Sequence, residues 1–185
     1  MRTLISLSAL ALCLSACGTL PASRNTPYLP PMVYGVYEDN DVGAINQSAW
    51  AFGSPANTRG NPIDAAKAIV ALEYLSGELR ENPRWIGMDQ SVKLRMGLAR
   101  DQLRAILGIR PGTPPQLVVN TLLALSLDLQ TANGPAAGQV LASPIFTHPP
   151  PQTLQILSNL PYVQEANLAT ARAQEQSFPM GGSKG

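Results

Sequence analysis

The fold is decided by residues 61–81, NPIDAAKAIVALEYLSGELRE, in which apolar residues recur at helical spacing. Asn61 is a favoured N-cap, Pro62 suits the first helical position, and Asp64 places an anion where the helix dipole stabilises it. Apolar or small residues cover most of the circumference: Ile63, Ala66, Ile69, Val70, Leu72, Tyr74, Leu75, Gly77 and Leu79. We therefore predict a largely buried helix that ends near Glu81, before Asn82-Pro83.

Similar patterns predict further helices after this one. Gly108 suits the left-handed end of the next helix, and Thr113-Pro114 supplies a cap and a first-turn proline for a leucine-rich helix expected to run through the centre. The predicted helices cover residues 89–108, 114–132, 136–142, 149–160 and 161–176. Together with the helix at 61–81 they predict an all-α fold, a single irregular bundle of about five or six helices.

The segment before residue 61 has a different character, because residues 28–60 are rich in proline and aromatic side chains. Each ring buries about 150–250 Å² when it packs, so we expect an extended, irregular strap that lies across the helical body. The alternative is a docking segment, since Tyr28-Leu29-Pro30-Pro31 has the composition of a partner-binding stretch. The candidate partner-binding aromatic residues are Tyr28, Tyr34, Tyr37 and Trp50.

Basic residues form a second candidate surface. Lys93, Arg100 and Arg104 are spaced by seven and four, so they share one face of the predicted helix. Such a face can meet phosphates or an acidic partner. The alternative is a solvated helix face whose charges pair with Glu78 or Glu81 of the neighbouring helix.

Residues that carry chemistry are scarce. His148 is the only histidine and lacks a Gly-x-Ser-x-Gly nucleophile elbow to serve. Asp39, Asn40 and Asp41 offer oxygen ligands, but the pattern does not continue into a calcium loop, so we interpret them as a solvated turn. Glu73 lies on the first predicted helix and is interpreted as exposed. We predict no catalytic residue, no metal and no cofactor; an envelope hydrolase using Glu73 or His148 is the least favoured alternative.

The N-terminus carries the most specific motif. Arg2 precedes an apolar run from Leu4 to Leu14, and Ser15-Ala16 lead into Cys17. This stretch resembles the signal of bacterial lipoproteins over residues 1–18, and no family resemblance extends beyond it. The resemblance implies cleavage before Cys17, acyl chains such as palmitate on that cysteine, and a membrane anchor. Gly18, where an aspartate would imply retention at the inner membrane, implies the periplasmic face of the outer membrane in a Gram-negative cell.

This signal fixes the expected domain organisation: a cleaved signal peptide (1–16), a lipidated flexible tether (17–27), the strap (28–60), a helical domain (61–178) and a disordered tail (179–185). Only Arg2 of the 13 basic residues lies in the signal, so the remainder carries 12 basic and 12 acidic residues. A balanced charge and an envelope location argue against nucleic acid as a partner. Cys13 leaves with the signal and Cys17 is acylated, so no disulfide is expected.

These observations predict a membrane-anchored lipoprotein whose helical domain is a non-enzymatic binding or scaffolding component of the cell envelope, with an envelope protein as the candidate partner. The alternative is a carrier of an apolar ligand or lipid, which predicts a cavity beside the leucine-rich helix that follows Pro114.

The anchor can be tested by labelling cells with radioactive palmitate. Cys17→Ser should abolish incorporation, because it removes the thiol that is acylated. Cys13→Ser is the matched control and should leave incorporation unchanged. Labelling that persists in Cys17→Ser would overturn the assignment.

Overall fold

The computed structural model describes residues 26–35 and 39–177. The predicted all-α fold is confirmed, and no strand occurs within these ranges apart from an isolated antiparallel bridge between Ile109 and Phe146. The helices are α1 (Asn40–Gly53), α2 (Pro62–Glu81), α3 (Gln90–Leu107), α4 (Pro115–Gln130), α5 (Gly134–Leu141), α6 (Pro150–Ser158) and α7 (Gln164–Ser177). Short 3-10 turns at Pro55–Asn57 and Pro83–Trp85 join the first three.

Helix α2 is the centre of the bundle. It packs against α1, α3, α4 and α6, while α7 lies against α1 and α3. Its apolar side chains are therefore enclosed from several sides, and Ile69, Leu72 and Leu75 are fully buried. The expectation that the leucine-rich helix runs through the centre is wrong: α4 buries Leu122 and Leu125 but exposes Leu117 and Leu127.

Local sequence signals account for most helix ends. The Asn61 side chain accepts a hydrogen bond from the backbone N–H of Asp64 at 3.2 Å, as its position before Pro62 predicts. Gly108 ends α3 with φ of 69°, a left-handed conformation that glycine adopts without strain. The prediction that Thr113 caps α4 is wrong. Its hydroxyl donates to the Arg110 carbonyl at 2.7 Å, and the helix begins after Pro114.

Helix α1 corrects the prediction of an irregular strap over residues 28–60. Asp39 starts this helix: its carboxylate accepts from the N–H groups of Asp41 at 2.9 Å and Val42 at 3.3 Å. The interpretation of residues 39–41 as a solvated turn is therefore wrong, and Asp41 is buried. Residues 26–35 follow an extended and turning path. The predicted signal peptide, residues 17–25 of the tether, residue 178 and the predicted tail (179–185) lie outside the described residues.

The N-terminal segment crosses α2 at Gly77. A Cβ on this glycine would lie 2.7 Å from Cα and 2.8 Å from the backbone nitrogen of Thr26, so any larger residue meets main chain. Two further contacts hold the segment. The Tyr28 N–H donates to Gln116 Oε1 at 2.6 Å, and the Asn40 side chain donates to the Leu29 carbonyl at 3.1 Å. Leu29 is buried, so this segment belongs to the packed domain.

Gly77→Ala tests this crossing. Alanine favours a helix interior by about 0.8–1.0 kcal/mol over glycine, so the propensity alone would raise the melting temperature. We expect a lower melting temperature instead, with faster amide exchange at Tyr28 and Leu29, because the added Cβ displaces the segment.

Gly138→Ala in α5 is the matched control, since a Cβ there meets nothing within 4 Å. It should raise the melting temperature. Equal gains from both substitutions would show that the segment moves aside without cost.

Candidate functional site

An open cavity of about 740 Å³ lies where the N-terminal segment passes the C-terminal half of α2. Its walls come from four parts of the chain: the segment at 26–29, the first residue of α1, one face of α2, and the loop that follows α2. The lining residues are Thr26, Pro27, Tyr28, Leu29, Asn40, Tyr74, Glu78, Glu81, Asn82 and Pro83. The cavity is therefore bounded by both the N-terminal segment and α2.

Helix α2 contributes Tyr74, Glu78 and Glu81 to the cavity, at positions i, i+4 and i+7 of one helix face. Glu73 is spaced by five from Glu78, which turns it to another side of the helix.

The environment of Glu78 disfavours its charged form. Burial raises the pKa of Glu78, and the nearby carboxylates of Asp41 and Glu81 act in the same direction. The hydrogen bond that Glu78 Oε1 accepts from the Asn82 side chain opposes this rise. The Thr26 hydroxyl donates to Glu81 Oε2 at 3.1 Å, which links two residues of the cavity wall.

A buried carboxylate, Asp41, fixes the inner wall. It accepts hydrogen bonds from the Tyr74 hydroxyl at 2.5 Å, the Trp85 indole N–H at 2.9 Å and the Arg84 guanidinium at 3.2 Å. Arg84 also pairs with Asp39 at 2.6 Å and lies over the Trp85 ring, 4.8 Å from its centroid. Burial and the Asp41 carboxylate raise the pKa of Tyr74, so this hydroxyl stays a donor to Asp41. The network ties the start of α1 to α2 and to the turn that follows it.

The candidate aromatic residues do not form one surface. Tyr28 lines the large cavity and is 66% exposed. Tyr34 is buried, and its hydroxyl donates to the Lys67 carbonyl at 3.3 Å. This ring packs into the domain, as the strap interpretation expects. Tyr34 and the half-exposed Trp50 share a separate cavity of about 200 Å³ with Gly43, Asn46 and Gln47. Tyr37 lies outside the described residues.

The predicted basic face is not a solvated surface. Lys93 is only 5% exposed, and Arg104 is held by Glu73 of α2. Arg100 is the most accessible of the three, and it pairs with Asp101 at 2.9 Å while donating to the Ser76 hydroxyl at 3.4 Å. The predicted pairing with Glu78 or Glu81 is therefore also wrong for Arg104, because α3 turns this residue toward the middle of α2.

Glu73 and Arg104 form a buried bidentate ion pair between α2 and α3. The Nε and Nη2 groups of Arg104 donate to the two carboxylate oxygens of Glu73 at 2.6 and 2.7 Å. Arg104 also donates to the Thr113 carbonyl at 2.9 Å, which fixes the loop before α4. Burial raises the pKa of Glu73, and the guanidinium opposes this by stabilising the carboxylate. The interpretation of Glu73 as an exposed glutamate is wrong.

Glu73, one of the two residues of the hydrolase alternative, is separated from solvent. Glu73 is 1% exposed and both of its oxygens accept from Arg104. His148 lies against Gly108, where a Cβ would be 2.5 Å from its Cδ2 atom. Within residues 26–35 and 39–177, no group of three or more histidine, cysteine, aspartate or glutamate side chains is arranged to hold a metal ion.

No family model, curated protein or solved structure matches this chain. Among the described helices, none has both the length and the apolar character needed to cross a membrane.

Arg104→Met should be strongly destabilising, because it leaves the Glu73 carboxylate buried without its partner. We expect a loss of about 3–5 kcal/mol in the free energy of unfolding, measured by chemical denaturation. Adding Glu73→Leu should recover most of this loss, since an apolar pair needs no charge compensation.

The control is Arg172→Met, which breaks the exposed pair between Arg172 and Glu175 and should cost about 0–1 kcal/mol. If Arg104→Met proves as mild as this control, the pair contributes little to the fold.

Proposed function

We propose that this protein is a membrane-anchored bacterial lipoprotein whose helical domain is a non-enzymatic binding component of the cell envelope. The observation that supports it is the open cavity of about 740 Å³, whose outer wall begins at Thr26, nine residues after the lipobox cysteine. A ligand site built partly from the chain that leads to the anchor is suited to a receptor held at a surface.

The length of the tether supports this arrangement. Nine residues span at most about 30 Å when fully extended, so an acyl anchor on Cys17 would keep the cavity within that distance of its attachment point. Two or more acyl chains provide lasting attachment where one chain gives only reversible binding. In this proposal the ligand is therefore met close to the membrane, on its periplasmic side in a Gram-negative cell.

The described cavities do not favour the carrier alternative. A carrier of an apolar ligand would need a cavity beside α4, and none of the three cavities described is lined by a residue of that helix. The α4 side chains Val118, Val119, Leu122 and Leu125 instead pack into the core.

Site-specific photocrosslinking in intact cells tests the binding role. A photoreactive phenylalanine analogue replaces Tyr28 at the cavity, and in a matched strain it replaces Leu127, which is exposed on α4 away from the lining residues. We expect a discrete adduct from position 28, in the membrane fraction, that position 127 does not give.

Combining the position 28 probe with Cys17→Ser should weaken this adduct, since the receptor would no longer be held at the membrane. The same adducts from both positions, or none from position 28, would contradict the proposal.

A further inference from the structure

We propose that a second copy of this chain binds the exposed face of α4, so that two α4 helices pack antiparallel about a two-fold axis at position 122. This inference is separate from the proposed ligand site, because no residue of α4 lines the cavities described above.

The first argument is the shortage of charge on this side of the molecule. Within residues 111–164, all of which the structure describes, Asp128 is the only acidic or basic residue apart from His148. Helix α3, of similar length to α4, has five charged residues. About a quarter to a third of the residues on a solvated surface are charged, whereas the core of a protein interface is depleted of charge. The shortage therefore indicates that an uncharged surface covers this face.

The second argument is the pattern of exposed residues on α4. They recur at intervals of three and four and form one stripe, the α4 stripe, defined as Leu117, Asn120, Ala124, Leu127 and Thr131. Single exposed leucines are ordinary, but Leu117 is 46% and Leu127 59% exposed on the same uncharged stripe. Intervals of three and four are the spacing with which one helix packs against another.

The α4 stripe is complementary to itself. An antiparallel pair about position 122 brings together residues that lie equally far before and after that position. Leu117 then faces Leu127 of the second copy, and Asn120 faces Ala124 of the second copy. The larger side chains meet at both ends, and the small alanines allow a close approach in the middle. One patch that matches itself is what a two-fold interface requires.

Electrostatics favours the antiparallel pair over a parallel one. The two Asp128 carboxylates would lie about 18 Å apart along the helices, farther than the screening length of about 10 Å. In a parallel pair they would lie level with each other and repel more strongly. A membrane surface is a poorer occupant of this face, because surfaces that bind anionic lipids are rich in lysine and arginine.

Polar groups of the α4 stripe already have partners within one copy. Asn120 Oδ1 accepts from the Gln116 side chain at 2.8 Å, and the Thr131 hydroxyl donates to the Leu127 carbonyl at 3.0 Å. These bonds remain when a second copy excludes water, so covering the stripe does not leave these two oxygens unsatisfied.

Disulfide crosslinking in intact cells tests the arrangement. Leu117→Cys and Leu127→Cys are expressed together on full-length chains with tags of different size, and each is also expressed alone. We expect a mixed disulfide dimer, because the two positions face each other and a disulfide needs a Cα–Cα distance below about 7 Å. Each variant alone should give only the background of the unsubstituted chain, since like positions lie about 15 Å apart along the helices.

A charge placed in the α4 stripe tests the same surface without crosslinking. Ala124→Glu brings one carboxylate from each copy close to the two-fold axis, so it should raise the dimer dissociation constant about tenfold or more. Ala105→Glu makes the same change at an exposed position of α3 and should leave this constant unchanged. Sedimentation of the full-length protein in detergent measures both.

Three results would overturn the inference: no mixed disulfide dimer above background, dimers of Leu127→Cys alone as abundant as the mixed pair, or equal effects of the two glutamate substitutions. A photoreactive analogue at position 127 that crosslinks to a different protein, and not to a second copy, would also reject it. None of these results bears on the photocrosslink expected from position 28, so the proposed function is tested separately.

Discussion

The buried pair between Glu73 and Arg104 is the constraint on which the arrangement of the bundle depends. Glu73 is in the middle of α2, the helix that contacts four of the others, and its charge has no access to water. The guanidinium must therefore reach it from α3, and the same group holds the Thr113 carbonyl before α4. The pair therefore constrains the relative positions of α2, α3 and the loop before α4, because a shift of either helix leaves a charge buried without its partner.

The side chains of α2 divide its circumference into two kinds of environment. One side holds Glu73 against Arg104 in the interior, and another presents Tyr74, Glu78 and Glu81 to the cavity. Burial raises the pKa of a glutamate in each environment, but the partners differ. At Glu73 the Arg104 guanidinium opposes the rise. At Glu78 the Asn82 amide opposes it, while neighbouring carboxylates add to it. A structural and a candidate binding function are thus built on one helix within two turns.

The sequence predicts much of the fold and little of the site. Caps and breakers such as Asn61, Gly108 and Pro149 act within a few residues, so α2, α3 and α6 could be placed closely from local pattern alone. Helix α1 was missed although Asp39 is a favoured N-cap, because the density of proline and aromatic residues suggested an irregular strap. The composition of the segment was a weaker guide than the capping residue within it.

The site depends on contacts across long sequence separations, which periodicity does not reveal. A helical spacing shows that Lys93, Arg100 and Arg104 share a face, but only packing against α2 decides that this face is buried. Likewise the i, i+4, i+7 spacing of Tyr74, Glu78 and Glu81 was present in the sequence, but nothing local shows that Thr26 crosses at Gly77 and leaves room beyond it. Gly77, a glycine inside a largely buried helix, was the one local signal of a close approach.

The crossing at Gly77 also determines how the domain would carry a mechanical load. A pull on the chain before Thr26 would reach the segment at its N-terminal end, and its hydrogen bonds to Glu81, Gln116 and Asn40 occur one after another along the chain. Bonds arranged in this way are loaded one at a time. They break at a lower force than bonds that share the load. Tension would peel away the outer wall of the cavity before it disturbed the core around α2, so in the proposed receptor a ligand would be held less tightly when the chain before Thr26 is stretched.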